Sequence, residues 1–291
     1  MWLILGAEGQ LGQSLQQVLT EENITFTGVG RNQLDISNLE QCRHFIGELH
    51  PSVVVNCAAW TAVDLAEDYE EEAFQINCAG ARNIAVASRS IGACLVHIST
   101  DYVFSGVSSI PFESDSPTAP VSVYGKSKLC GEIAITEEYP ERSYIIRTAW
   151  LYSQYKGNFV KTMIRKAMSK SAVRVVSDQI GQPTLATDLA RHIVEIVSSG
   201  APFGVFHGTN SGAVSWFELT QEIYALLDAD ISLVSPVPTS EYPTKAIRPQ
   251  YSVLSHSRTG ASNITEMQDW KSALHKSVRS ITATISKEDS L

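Results

Sequence analysis

No stretch of this 291-residue chain is apolar for long enough to cross a bilayer, and no basic leader precedes a hydrophobic segment. Neither a membrane span nor a secretory signal is therefore expected. The short apolar run in MWLILGAEG reads instead as a buried strand. Positive charge is scarce: 22 Lys and Arg against 31 Asp and Glu leave a net charge of −9. That balance argues against a nucleic-acid or anionic-membrane partner. The five cysteines, Cys42, Cys57, Cys78, Cys94 and Cys130, are odd in number, widely spaced and never arranged as CxxC. The spacing offers no disulfide framework and no zinc site, and reduced thiols in a cytoplasm are expected. None of the seven histidines falls in HExxH or another compact ligand pair, so no metal site is expected. Internal repeats, low-complexity tracts and long linkers are missing as well.

What is present is ordinary globular material, 44% hydrophobic and 18% charged, long enough for a substantial core. The runs WLIL, ITFTGV, SVVVNCA, CLVHIST and SYIIRTAW read as strands. Between them the segments 9–20, 38–49, 70–90 and 122–138 read as helices. Such alternation predicts an α/β fold with a Rossmann-type doubly wound parallel sheet. The expected division is a nucleotide-binding domain over 1–150 and a smaller substrate-binding lobe over 151–291, with about 185–200 returning to the first sheet. The second half carries the polar, Pro-rich loops YSQYKGN, DQIGQPT and SPVPTSEYPTKAIRPQY, the kind of segment that builds a substrate site.

LILGAEGQLGQSL sets Gly6, Gly9 and Gly12 between the first strand and the first helix. A turn there must be tight, must let backbone approach a pyrophosphate, and must let the helix pack on its strand; the helix N-terminus adds amide donors. The spacing is GxxGxxG. The second strand ends in GVGRNQLDIS, which shows Arg31 where an NAD-specific protein shows an acid, so a 2′-phosphate and hence NADP are expected, with NADH tolerated. Asp35 is placed for the adenine edge. The next strand ends in the small residues of NCAAWTAVD, as backbone passing close under a cofactor requires.

In VYGKSKLCGEIAI, Tyr124 and Lys128 are one helical turn apart on one face. A phenol titrates near pH 10, and a close ammonium is expected to lower that value toward neutrality. The same spacing recurs at Tyr152 and Lys156, but in a Gly- and Asn-containing loop that guarantees no shared face. Upstream, HISTDYVF puts Ser99, Thr100 and Asp101 at a strand end, where α/β proteins carry their chemistry.

The glycine triplet, Thr100 and Tyr124/Lys128 together resemble the extended short-chain dehydrogenase/reductase superfamily. NCAAWTAVDLAE, VHISTDYVFSG, VYGKSKLCGE, RTAWLYS, GNFVKTM, DQIGQPT and YPTKAIRP resemble, more closely, the dTDP-4-dehydrorhamnose reductase family, over nearly the whole chain. The resemblance implies an NADPH-dependent reduction of a 4-keto-6-deoxysugar nucleotide. It implies that Gly9, Gln10 and Leu11 hold the pyrophosphate, that Asp35 and Ile36 meet the adenine, and that Ala59, Trp60 and Thr61 line the cofactor's strand end. Tyr124 would donate the proton, Lys128 would partner it and the nicotinamide ribose, and Thr100 would position the carbonyl. Thr100, Asp101, Tyr102 and Trp150 would contact the deoxysugar, with Arg248 in the C-terminal loop facing the diphosphate.

Three positions depart from the family pattern. Trp60 stands where histidine is common, Tyr251 replaces a usual asparagine, and Ser14 stands where some members carry a glutamate that helps hold a dimer-bridging metal. A homodimer is compatible with the sequence; a metal-bridged one is not carried over. Two other readings share these residues: a reductase of the opposite facial selectivity, giving for example a 6-deoxytalose, and a non-catalytic regulatory subunit resembling that of methionine adenosyltransferase. The intact Thr100/Tyr124/Lys128 set favours catalysis.

Overall fold

The computed structural model describes residues 1–289. In chain order the first part comprises β1 (Trp2–Leu5), α1 (Gln10–Glu21), β2 (Phe26–Val29), α2 (Leu39–Leu49), β3 (Val53–Asn56), α3 (Val63–Ala66), α4 (Glu70–Phe74), α5 (Gly80–Ser90), β4 (Cys94–Thr100), α6 (Val123–Glu138) and β5 (Ser143–Thr148). The second part comprises β6 (Leu151–Tyr152), α7 (Phe159–Met168), β7 (Val173–Val176), β8 (Ile180–Gly181), β9 (Thr184–Leu185), α8 (Ala186–Ser199), β10 (Gly204–His207), β11 (Val214–Ser215), α9 (Trp216–Leu226), β12 (Val234–Val237), α10 (Ser257–Ala261) and α11 (Trp270–Glu288).

One six-stranded sheet, in the order β10-β5-β4-β3-β1-β2, is parallel throughout. Its central strands are buried on both faces, which is why VVV and LVHI read as continuous apolar runs instead of alternating ones. The chain runs from β1 outward to β2 and then back past β1 to β3. This reversal opens a crevice at the carboxyl ends of β1 and β3, the place where doubly wound sheets take a ligand.

Residues beyond 150 contribute both a helix and a strand to this body. Leu189, Ala190, Ile193 and Ile196 of α8 pack with Leu15, Val18 and Leu19 of α1 on one face of the sheet, and β10 extends its edge beside β5. The stretch Gly204–His207 is short and mixed, so its strand character was not visible in the sequence. The remaining residues form a second core around Tyr152, Val160, Ile164, Leu219, Leu274 and Ile281, contributed by β6, α7, α9 and α11. Three two-stranded ribbons, β6 with β9, β7 with β12 and β8 with β11, complete that lobe.

Two expectations are corrected. The segment 70–90 is not one α-helix: between α4 and α5 the residues Gln75–Ala79 widen into a π-helical turn. Periodicity could not show this, because the apolar face continues across the turn. The thiols are not all reduced either. Cys78 of that turn and Cys130 of α6 form a disulfide, while Cys42, Cys57 and Cys94 remain free. The two bonded cysteines are 52 residues apart, and only the packing of α6 against the π-turn brings them together.

A buried ion pair ties the same helix to the sheet. Arg147 of β5 donates to Glu132 of α6 at 2.7 and 3.0 Å, and both side chains are nearly inaccessible. Glu132 also accepts from Ser99, and Arg147 donates to the Ser114 carbonyl and lies over the Phe104 ring. Removing only one partner strands the other charge in the interior. Arg147→Met is therefore expected to cost about 3–5 kcal/mol in urea unfolding, and the double change Arg147→Met with Glu132→Leu to recover most of it.

Candidate active site

A cleft of about 960 Å³ follows the carboxyl edge of the sheet and continues between the two lobes. Ligand pockets commonly reach several hundred Å³, so this one has room for two sizeable molecules. Gly6, Gly9, Gln10, Leu11, Gly12, Arg31, Asp35, Ile36, Ala59, Trp60, Thr61, Thr100, Asp101, Tyr102, Tyr124, Lys128, Trp150 and Arg248 all line it. Every site residue predicted from sequence is thus brought to one cavity.

At its nucleotide end the turn after β1 is close-packed. Gly6 has φ +74°, and a Cβ on Gly12 would come within 2.4 Å of the Gly6 carbonyl. Only glycine fits at either place. Helix α1 starts at Gly9 with no capping side chain and no acid in its first turn, so its leading amides are left for an anionic ligand. The residues present therefore fit a dinucleotide pyrophosphate. The Gln10 side chain turns elsewhere: its Oε1 accepts from Ser153 and Asn158, joining the glycine turn to the second lobe. Arg31, two residues past β2, is exposed at the rim of the cleft. Asp35 uses one oxygen on the amide and hydroxyl of Ser37, and these bonds hold its carboxyl below the usual range.

The strand end Ala58–Thr61 is braced from the π-turn. Asn77 accepts the Trp60 amide at 2.8 Å, donates to the Trp60 carbonyl at 3.1 Å, and donates to Ser127 of α6 at 2.9 Å. This explains the local widening of the helix: Asn77 must reach two elements at once, and π-turns commonly mark such sites.

At the reacting end, Ser122 caps α6 and starts the helix one residue before Tyr124. The phenol lies within reach of Thr100, whose hydroxyl donates to Asp101 at 3.0 Å. The contact with Thr100 acts to lower the phenol's pKa, against the larger effect of burial. Burial pushes the phenol up to about 12, opposite to the lowering expected from Lys128. The reason is visible: the Lys128 amine turns into the protein, donating to the Ile98 carbonyl at 2.6 Å and meeting His97 Nε2 at 3.2 Å. In this state the proton is stored on tyrosine.

Asp101 is buried, with one oxygen lacking a partner among the described residues. Burial pushes its carboxyl up to about 6. Tyr102 packs edge-on to Tyr124 at 5.5 Å. Trp150 closes the wall with φ +45°, stacked 3.5 Å from Trp216 and against Gly181, where a Cβ would lie 2.5 Å from the indole. Trp216 was missed from sequence. The capping-box pattern SWFE marks its helix start, since Ser215 and Glu218 bond reciprocally, but nothing local points that indole at Trp150. Arg248 reaches the cleft while donating to Asp64 at 2.6 Å, and its Nη1 is buried without a partner among the described residues. Asp64 and the His97 behind Lys128 were likewise not foreseen. Both members of the second tyrosine–lysine spacing also reach the cleft, but Tyr152 is packed in the second core and Lys156, at φ +54°, is exposed.

The chain matches the family described as RmlD substrate binding domain over residues 1–283. It is 42% identical over 280 residues to a dTDP-4-dehydrorhamnose reductase of Streptomyces griseus, covering 95% of this chain and 92% of that one. It is 40% identical over 273 residues to a dTDP-4-keto-6-deoxy-D-glucose reductase of Streptomyces niveus, covering 94% of each. The crystal structure of a dTDP-4-dehydrorhamnose reductase from Bacillus anthracis in complex with NADP superimposes with a TM-score of 0.92, at 38% identity and over 96% of this chain and 98% of that one.

The Asp101 carboxyl provides a test of this geometry. Its folded value lies above the unfolded one of about 3.9, so the folded state loses stability as pH rises through the window from about 4 to about 6. Asp101→Asn is therefore expected to stabilise the protein by about 1–3 kcal/mol at pH 7.5. That gain should vanish near pH 4 when thermal melting is compared across pH.

Proposed function

The chain belongs to the RmlD substrate binding domain family, and we propose that it catalyses the NADPH-dependent reduction of the 4-keto group of dTDP-4-dehydro-L-rhamnose, giving dTDP-L-rhamnose. The observation that carries this reading is the single cleft in which the glycine turn, the Thr100–Tyr124–Lys128 set and the Trp150–Trp216 wall face one another. NADPH, bound on the turn at Gly9–Gly12, supplies the hydride. This chain's own residues supply position and proton. Tyr124 keeps its phenol protonated over the whole neutral range and gives that proton to the developing alkoxide at carbon 4. Thr100, in contact with the phenol, holds it in place. Tyr102 and the Trp150 indole present aromatic faces to a ring that lacks its 6-hydroxyl.

An acidic protein needs local cations for a diphosphate, and Arg248 provides one at the mouth of the sugar end. The reaction belongs to polysaccharide precursor synthesis in the cytoplasm. Incubating the protein with NADPH and the 4-keto sugar nucleotide, and following loss of reduced-cofactor absorbance, tests the assignment directly. Product stereochemistry separates rhamnose from the 6-deoxytalose epimer, and lack of turnover would favour the non-catalytic reading.

Three variants sharpen the assignment. Tyr124→Phe removes only the transferable proton, so turnover should fall by about 10²-fold or more while cofactor binding by calorimetry stays nearly intact. Tyr152→Phe, in the second core, should change turnover much less. At the adenosine end, Arg31 is expected to favour NADPH over NADH by a charge-assisted contact of about 1.5–3 kcal/mol. Arg31→Ala should erase most of that preference when the Michaelis constants for both cofactors are compared; an unchanged ratio would make Arg31 a solvated surface residue.

A further inference from the structure

Behind Lys128 lies a buried polar chain that the reaction as described does not use. Asn56 ends β3, His97 lies in β4, and each is about 1% exposed. Asn56 Nδ2 meets His97 Nδ1 at 3.0 Å, and His97 Nε2 meets Lys128 Nζ at 3.2 Å. The direction of the chain is set at its far end. The Ala58 amide donates to Asn56 Oδ1 at 3.1 Å, so the Asn56 NH₂ group must be the one facing His97. His97 Nδ1 is then an acceptor. Burial holds this imidazole neutral, with the Lys128 charge acting in the same direction, and its one proton therefore sits on Nε2, pointing at the lysine.

An N–H aimed at an ammonium is a clash of two donors; aimed at a neutral amine it is a hydrogen bond. The tautomer that Asn56 imposes therefore disfavours the charged form of Lys128. For the ammonium to be satisfied, one proton must enter from the cleft onto the amine, and the imidazole proton must move from Nε2 to Nδ1. The Asn56 amide must then turn over, which sets its NH₂ against the Ala58 amide. The two charge states of the lysine thus correspond to two arrangements of one network.

We propose that His97, oriented by Asn56, is a positioning residue of the reductase that sets the charge state of the Lys128 amine through its imidazole tautomer. The inference rests on the reductase reading above. Four other titratable groups lie around the amine. Cys57, at the end of β3, is a thiol pushed up to about 12 by burial and hence neutral. Glu132, one turn along α6, is committed to Arg147 and Ser99. Tyr124, one turn back, is a phenol in contact with Thr100 and kept neutral by burial, and Asp101 lies beyond it. None of these supplies an acceptor at the position that His97 Nε2 occupies. Burial brings Lys128 down to about 8, with Glu132 and Cys57 opposing that shift. The sign follows: the ammonium is present below that value and lost above it, so activity requiring the cation has its basic limb there.

Two substitutions reverse the network without emptying it. Asn56→Asp still accepts the Ala58 amide, but it demands a proton on His97 Nδ1 and so turns a bare Nε2 toward the lysine. His97→Gln can present a carbonyl to the amine directly. Both should move the basic limb of kcat/KM against pH upward by about one unit, a tenfold change in the charged-to-neutral ratio at a given pH. Lower activity at every pH with an unmoved limb would overturn the proposal, since that is all a structural role predicts. Nitrogen NMR of the histidine-labelled wild-type protein needs neither turnover nor a folded variant. Protonated Nε2 and bare Nδ1 on His97 are expected; the reverse assignment would sink the inference while leaving the reductase reading standing. Absence of turnover with the expected tautomer would instead count against the reductase reading alone.

Discussion

A lysine amine taken almost wholly out of water at the edge of a parallel sheet has to be solvated by protein, and the geometry around Lys128 is organised by that requirement. An isolated ammonium in such a place is costly, and the usual relief is a shifted proton equilibrium together with hydrogen bonds. Here the Ile98 carbonyl and the His97 ring supply the bonds, and both come from β4. The strand must therefore lie under the first turns of α6. That position is fixed by the Arg147–Glu132 pair, by the Ser99 hydroxyl, and by the Cys78–Cys130 link to the neighbouring helix. Tyr124 is carried along: its place one turn before Lys128 follows from the same anchorage, and its phenol meets Thr100 at the end of the strand that holds the lysine.

The second lobe depends on the first in a comparable way. Trp150, two residues past the end of β5, adopts a left-handed backbone that costs on the order of 1 kcal/mol for a residue with a Cβ. Its indole is held by Trp216 on one side and by the bare backbone of Gly181 on the other. Gln10 then reaches out of the glycine turn to Ser153 and Asn158, so the loop that opens α1 and the loop that follows Trp150 share one set of bonds. Strain at Trp150 is thus held by contacts from two separate segments, and its outcome is an aromatic face on the wall of the cleft that Tyr124 also lines.

The sequence made the chemistry of the first half legible because there each functional group is announced by a local rule. Glycines at a strand–helix junction, a capped helix opening on VYGKSK, and a hydroxyl-rich strand end all express backbone requirements within a few residues. The groups that were not legible act across long separations. Asn56 and His97 are 41 residues apart, Asp64 and Arg248 are 184 apart, and neither pair has a spacing that any periodicity would reveal. The disulfide failed for the same reason: Cys78 and Cys130 meet only because a π-turn and α6 pack face to face. The expected lowering of the Tyr124 phenol failed differently. Four-residue spacing put the lysine on the correct face, but the direction of its amine was decided by β4, an element that a helical rule does not contain.

Arg248 shows how an acidic chain can hold a cation ready for an anion without leaving it exposed. Its guanidinium is a two-sided fork, and one side is committed to Asp64 at 2.6 Å. The other side, Nη1, is buried and without a partner among the described residues. A phosphate oxygen arriving there adds a bond without removing one, and the carboxylate behind it keeps the side chain from turning to solvent in the meantime. The arrangement also limits how strongly an anion can be held, since Asp64 offsets part of the positive charge that the diphosphate would meet. Lys245, tied to Asp68 on the same loop, repeats the pattern outside the cleft. The loop 242–249 is therefore fastened to α3 and the residues after it by two ion pairs, of which only Arg248–Asp64 reaches the cleft.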